Sequence, residues 1–300
     1  MSTSSTIVDR ITELEKGMEE LDTRLAAREA KTAMDELKAV KPRLVDAEYD
    51  IREIEAYQQG LLDRIPVGTV EVAHTNQLVE ECATWACTSI SLSNDEGRGT
   101  MWLTPDPRCT FRPSTVWLSR TANLIGARIR VKSPNSVVVV HPLEHFPPQS
   151  RMPVPLLRHL LYDLLTYAPT IIRTDETFRM LMSPLHQEFT NHEELWPWLD
   201  AIISHFKKLE RRVVWVLDGF ERLEADKSAR GIERLGLLKL LGRAVDAVGR
   251  GEGWFRVVVA SGKALGKVDL LRVSELEEVR GKIAERIVGW VPPVEGAGGL

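Results

Sequence analysis

The chain has 300 residues, of which 43% are hydrophobic and 27% charged, a balance that fits one large folded domain with an extension, or two domains, and excludes disorder throughout. A formal net charge of −4 and an isoelectric point near 6.0 give no general electrostatic reason to bind nucleic acid or an anionic membrane, so neither is expected as a partner. The three cysteines, Cys82, Cys87 and Cys109, form no CxxC pair and have no histidine at ligand spacing, which indicates neither a disulfide framework nor a zinc site.

Residues 1–6 are polar and lead into a charged helical pattern without the apolar core of a signal peptide, and the longest apolar runs are far too short to cross a bilayer. A cytoplasmic location is therefore expected. From Ile7 the apolar residues Ile7, Ile11, Leu14, Met18, Leu21 and Leu25 recur at alternating spacings of four and three, which is a heptad seam. The periodicity blurs, meets Pro42, and resumes as Leu44, Ala47, Ile51, Ile54, Leu61 and Ile65, with Gln58 in a seam position. Because proline is tolerated in a first turn but not deep in a helix, the pattern predicts two helices, over 6–40 and 42–64. Such a seam is covered by a partner chain, by the other helix, or by the following domain, and the pattern does not choose among them.

Pro66 and Gly68 close that region, 71–92 has helical spacing, and 93–99 has the composition of a linker. The pattern then changes. Short β-branched runs at 115–119 (TVWLS), 136–141 (SVVVVH), 213–218 (VVWVLD) and 255–261 (FRVVVAS) predict strands, and their continuous hydrophobicity predicts a parallel sheet covered on both faces. Helices are expected between them over 154–167, 195–211 and 232–248. The expected organisation is an amphipathic, coiled-coil-like region over 1–66, a helical linker over 67–98, a three-layer α/β domain over 99–292 and a disordered tail over 293–300.

This order of elements resembles the fungal NACHT-type P-loop NTPases of the STAND class, related to the nephrocystin-3-like N-terminal domain. The resemblance rests on Gly99, Thr100, Trp102 and Leu103 ahead of Val116, Trp117 and Leu118, on the apolar run 137–140 and the leucine-rich 156–165, on the Trp-containing 196–206 before 213–218, and on 255–261. It implies a P-loop NTPase-like sheet, a Walker B strand ending in Asp218, and a terminal strand ending in Ser261.

An active phosphate loop needs G-x-x-x-x-G-K-[ST], so that backbone amides and a lysine surround the phosphates and a hydroxyl holds Mg²⁺. Placed after a strand at 115–119, the segment Arg120 to Arg128 would be that loop, with Gly126 at the second glycine, Thr121 at the first, Ala127 at the lysine and Arg128 at the magnesium hydroxyl. Every chemical role is then lost. Asp218 is followed by Glu221 and Arg222 where the family pattern D-x-x-D-E has its acidic pair, and Ser261 is followed by Gly262 rather than the family's phosphate-sensing arginine. The run from Ser261 to Lys267 mimics a phosphate loop but lacks its first glycine and its final hydroxyl.

His141 and His145 are separated by Pro142 and so do not form an HExxH-like zinc pair, no G-x-S-x-G elbow is present, and Trp196 and Trp198 read as anchors of a helix on the sheet. The expectation is a catalytically degenerate NACHT-like scaffold or signalling module with no nucleoside-triphosphatase activity and no cofactor. Its N-terminal helices would contact protein partners, self-association included. The alternatives are an ATP- or GTP-binding STAND switch, with Mg-ATP or Mg-GTP held through Arg128 and backbone amides, and a purely structural coiled coil. A gene prediction that dropped the phosphate loop would produce the same pattern.

Overall fold

The computed structural model describes residues 3–45, 49–63, 70–91, 100–105, 116–146, 153–182, 189, 192–220, 254–262 and 283–288. Among these residues the fold is mixed α/β. Three helices lead, α1 (Thr3–Leu44), α2 (Ile51–Asp63) and α3 (Val70–Ser91). They are followed by β1 (Thr100–Pro105), α4 (Val116–Lys132), β2 (Val137–Pro142), α5 (Pro153–Tyr167), α6 (Ile171–Thr174), α7 (Glu176–Met182), α8 (His192–Lys208), β3 (Val213–Asp218), β4 (Phe255–Ala260) and β5 (Ile283–Val288).

The five strands form one sheet in the order β2-β3-β4-β1-β5, and every pair is parallel. Alternate side chains separate the two faces, as a period of two requires. Val137, Val139, Val213, Trp215, Leu217, Val257 and Val259 pack into the core that holds α1, α5 and α8. Val138, Val140, Val214, Val216, Val258 and Ala260 pack into a second core with α3 and α4. Covered on both faces, the strands can be apolar throughout, which is why their sequence does not alternate.

Of the run expected as the first strand, 115–119, the described residues 116–119 are instead the start of a helix. In α4 the buried residues Trp117, Leu118, Ala122, Ile125 and Ile129 recur at helical spacing and face the sheet. The first strand is Thr100–Pro105, whose Trp102 and Leu103 are wholly buried on opposite faces. The register sets Leu103 beside Ala260 on one side and beside Arg286 on the other, so β1 lies inside the sheet.

The predicted break at Pro42 is also displaced. α1 runs through Pro42 to Leu44, where a proline in the last turn forfeits one backbone hydrogen bond without ending the helix. Its two halves have different fates. Ala33, Leu37, Val40 and Leu44 are buried in the core beneath α5, with Arg43 donating to the carbonyl of Leu181 at 3.3 Å and Arg173 Nε to Glu36 at 2.7 Å. Ile11, Leu14, Met18, Leu21 and Leu25 are 49–68% exposed, so among the described residues nothing covers the heptad seam.

β2 forms one edge of the sheet, and side chains occupy its outer carbonyls. Gln58 Nε2 donates to Val140 O at 2.9 Å, while Arg130 Nη2 and the Tyr167 hydroxyl donate to Val138 O, each at 3.1 Å. The polar Gln58 in the α2 seam is thereby explained: it is buried because it closes an edge that would otherwise pair with another chain. No helix of the described residues is long and apolar enough to cross a membrane.

Candidate functional site

In a parallel sheet ligands bind at the carboxyl ends of the strands, and here β1, β3 and β4 bring Thr104, Asp218 and Ser261 to that rim. Backbone bonds weld the three ends together. Ser261 N–H donates to Leu103 O at 2.9 Å, and the amides of Gly219 and Phe220 both donate to Ala260 O, at 3.0 and 3.2 Å. Gly219 has φ 79°, a left-handed conformation that favours glycine and folds the chain back over β4 directly after Asp218.

Asp218 is buried, and its Oδ1 accepts a hydrogen bond from Ser119 Oγ at 2.9 Å. Ser119 sits in the first turn of α4, so the amino end of that helix meets the rim where β3 ends. Two neighbouring polar side chains of α4 donate back to their own helix. Asn123 Nδ2 donates to Ser119 O at 2.7 Å and Thr121 Oγ1 to Trp117 O at 2.9 Å.

The residues expected to form a degenerate phosphate loop, Arg120, Gly126, Ala127 and Arg128, all lie inside α4. They are not a loop. Arg120 Nη1 donates to Asn76 Oδ1 of α3 at 3.1 Å. Gly126 faces β2 so closely that a Cβ there would stand 2.7 Å from Val140 Cγ2; its role is close packing. Arg128 is ion-paired to Glu80 and donates to Thr84 Oγ1 at 2.8 Å, both on α3. It lies nine residues beyond Ser119, which at 1.5 Å per residue is about 14 Å along the helix from the rim, and its guanidinium is held on α3 rather than turned toward a phosphate there. Of the other expected residues, Asp218 and Ser261 are at the rim as described, and Glu221 lies outside the described residues, as do 232–248, Lys267, the linker at 93–99 and the tail.

A second buried polar cluster escaped the sequence reading. Asp163 of α5 accepts from the Tyr49 hydroxyl at 2.6 Å and pairs with His141 Nε2 of β2 at 2.8 Å. Trp215 Nε1 of β3 donates to His141 Nδ1 at 3.1 Å. An indole N–H donates only, so Nδ1 of His141 is the acceptor and Nε2 carries the proton that Asp163 receives. His159, one turn before Asp163, stacks on Tyr49 with ring centroids 4.3 Å apart. Burial lowers its pKa from 6.5 to about 3, so it is neutral in the fold. The cluster joins the segment after α1 to β2, β3 and α5, in a core where most other groups are apolar. The available signal was a histidine and an aspartate four residues apart among the leucines of 156–165.

His145 stacks on Tyr57 at 5.2 Å while His141 is committed to Asp163 and Trp215, so the two histidines serve separate contacts. Trp198 lies edge-on to both Phe178 and Phe189, at 5.6 and 5.8 Å, and is part of the core. No protein family, curated protein or solved structure matches the chain.

Proposed function

We propose that the chain is a scaffold or signalling module built on a NACHT-like, P-loop NTPase-type sheet that has given up phosphate chemistry, and that its N-terminal helices make the protein contacts. The observation that carries this reading is the identity of the segment leaving β1. With β1 at Thr100–Pro105 and α4 beginning at Val116, a phosphate loop belongs at 106–115. That stretch reads Asp106, Pro107, Arg108, Cys109, Thr110, Phe111, Arg112, Pro113, Ser114, Thr115, with no glycine and no lysine. Each missing glycine is a backbone amide that cannot approach a phosphate, and the missing lysine removes the charge that balances it.

The architecture supports the class of domain. β1 is internal, helices cover both faces, and the ends of β1, β3 and β4 converge at the start of α4. A purely structural coiled coil does not account for a five-stranded sheet with two cores. Calorimetric titration of the full chain with Mg-ATP and Mg-GTP tests the proposal: no binding heat is expected, and a micromolar, magnesium-dependent affinity overturns it.

One observation favours a second reading, an NTP-binding switch. Asp218 lies buried at the rim with the Ser119 hydroxyl 2.9 Å away, and Ser114 and Thr115 immediately precede α4. Hydroxyl and carboxylate oxygens are the donors that suit magnesium. Because Arg128 is held by α3, the charge facing a phosphate would come from Arg108 and Arg112 instead. On this reading Asp218→Ala abolishes magnesium-dependent nucleotide binding, whereas Arg128→Ala leaves it intact.

A further inference from the structure

The exposed half of α1 carries a recognition pattern more specific than an apolar stripe. With Ile11, Met18 and Leu25 at heptad position a, and Leu14 and Leu21 at d, the flanking positions are sorted by sign. Glu15, Asp22 and Glu29 occupy e, while g holds Arg10, Gly17, Arg24 and Lys31, so that every charged e residue is acidic, every charged g residue is basic, and Asp22 alone faces no cation. These charged residues are all exposed. We infer that a second copy of this chain covers the seam, forming a parallel, in-register, two-stranded coiled coil. The inference rests on the interaction role proposed above for the N-terminal helices, and it names their partner and its orientation.

Charge decides both points. In a parallel pair each g residue faces the e residue of the next heptad on the other chain, so Arg10 meets Glu15 and Arg24 meets Glu29, and each contact occurs twice by symmetry. In an antiparallel pair g faces g and e faces e, which sets arginine against arginine and carboxylate against carboxylate. The surface is thus complementary to itself in one direction and repelled by itself in the other.

The seam is also distinct from the stripe that docks α1 on its own core. From Leu25 to Ala33, the first fully buried residue among the described side chains of α1, is eight positions, which at about 100° per residue turns the docking face roughly 80° away. The exposed stripe is therefore not the frayed continuation of the docked one. Arg28 and Thr32 occupy the next d and a positions and end the seam before the core begins.

A free peptide of this length would pair weakly, since nucleating a helix is costly. Here α1 is one 42-residue helix whose far end is fixed by Ala33, Leu37, Val40 and Leu44, so the exposed turns extend a helix already nucleated. A parallel arrangement places both sheets at the same end of the coiled coil.

The full chain tests this in three measurements. Sedimentation equilibrium should give a concentration-dependent dimer. Leu14→Glu with Leu21→Glu should make the chain monomeric without changing its thermal midpoint at low concentration, because neither side chain touches the described core. Leu21→Cys should form an interchain disulfide under mild oxidation that the wild-type chain does not form, since only a parallel pair brings the two Cα atoms within the roughly 7 Å a disulfide permits. A chain that stays monomeric at its highest soluble concentration overturns the inference, as does a dimer indifferent to the double substitution. So does cross-linking that needs a mixture of Ile11→Cys and Leu21→Cys chains, the antiparallel pairing. None of these outcomes touches the phosphate-inert reading of the sheet, which falls only on nucleotide binding.

Discussion

Gly126 separates a packing role from a phosphate-binding role by experiment. An alanine there gains helix propensity, about 1 kcal/mol over glycine in a helix interior. Against that gain, its Cβ would lie 2.7 Å from Val140 Cγ2 and 3.7 Å from Val138 Cγ1. The first distance is far inside the roughly 3.5–4.0 Å of a favourable carbon contact. Val140 is buried in the middle of β2 and, being β-branched, is stiff at χ1, so it does not swing aside. Overpacking of this kind costs about 1–3 kcal/mol and outweighs the propensity gain. Gly126→Ala should therefore destabilise the chain by about 1 kcal/mol net, read as a lower urea midpoint at unchanged slope. Val140→Ala should cost about 2 kcal/mol through lost burial. Once that valine is truncated, the same Gly126→Ala change should become favourable by about 1 kcal/mol, a coupling of about 2 kcal/mol between the sites. A single Gly126→Ala variant that is more stable than wild type would refute the close approach of α4 to β2.

Two further measurements address the buried cluster. Tyr49→Phe removes a hydrogen bond of 2.6 Å to the Asp163 carboxylate and should cost about 2 kcal/mol in urea unfolding; a change of only a few tenths would show that Asp163 does not hold the segment after α1. His159 predicts an acid-labile fold. Its pKa is lowered to about 3 by burial from an ordinary 6.5, so below pH 6.5 the unfolded chain takes up a proton that the folded chain refuses. Stability is then lost as the pH falls from 6.5 toward about 3, by about 1.4 kcal/mol per pH unit from this group, or about 2 kcal/mol at pH 5. His159→Phe, which keeps a ring against Tyr49, should flatten that slope. Equal slopes for variant and wild type across the window would show that His159 titrates normally.

The elements legible in the sequence were those whose pattern has one physical reading. The valine run of β2 and the run ending in Asp218 are strands because a short apolar β-branched segment covered on both faces has few alternatives. The leucines of α5 repeat over about three turns and fix the period. Over five residues, by contrast, TVWLS fits a strand as well as a helix, and only the later contacts of Ala122, Ile125 and Ile129 with the sheet select the helix. Ala122 and Gly126 are small because α4 lies close to β2, and small residues blur the periodicity that would have revealed it. β5 carries Glu285 and Arg286 and escaped notice because a strand at the sheet edge need not be apolar. Asp218 and Ser261 were legible as rim residues because strand ends announce themselves. The Ser119 hydroxyl that meets Asp218 was not, since it depends on where α4 begins.

Displacing the first strand changes what the missing phosphate chemistry rests on. Read from 115–119, the loss would consist of substitutions within a loop, each open to compensation by a nearby residue. With β1 at Thr100–Pro105, the segment Arg120 to Arg128 is excused from the phosphate-loop role, because it lies inside α4, where Arg120 and Arg128 are held by α3 and Gly126 packs against β2. The deficit passes to 106–115, which keeps a terminal Ser-Thr pair and two arginines while lacking every glycine. Charge alone does not make a phosphate site: it is the close approach of several backbone amides, which side chains on successive residues obstruct, that distinguishes a phosphate loop from a basic surface turn. Restoring a single lysine in that stretch should for this reason confer no nucleotide affinity, whereas a graft of the whole glycine-bearing motif between β1 and α4 places amides, lysine and hydroxyl next to Asp218. Calorimetric Mg-ATP binding by the graft that is lost on Asp218→Ala would show that the sheet still presents its carboxylate in a usable position; a folded graft that binds nothing would show that the rim itself has changed.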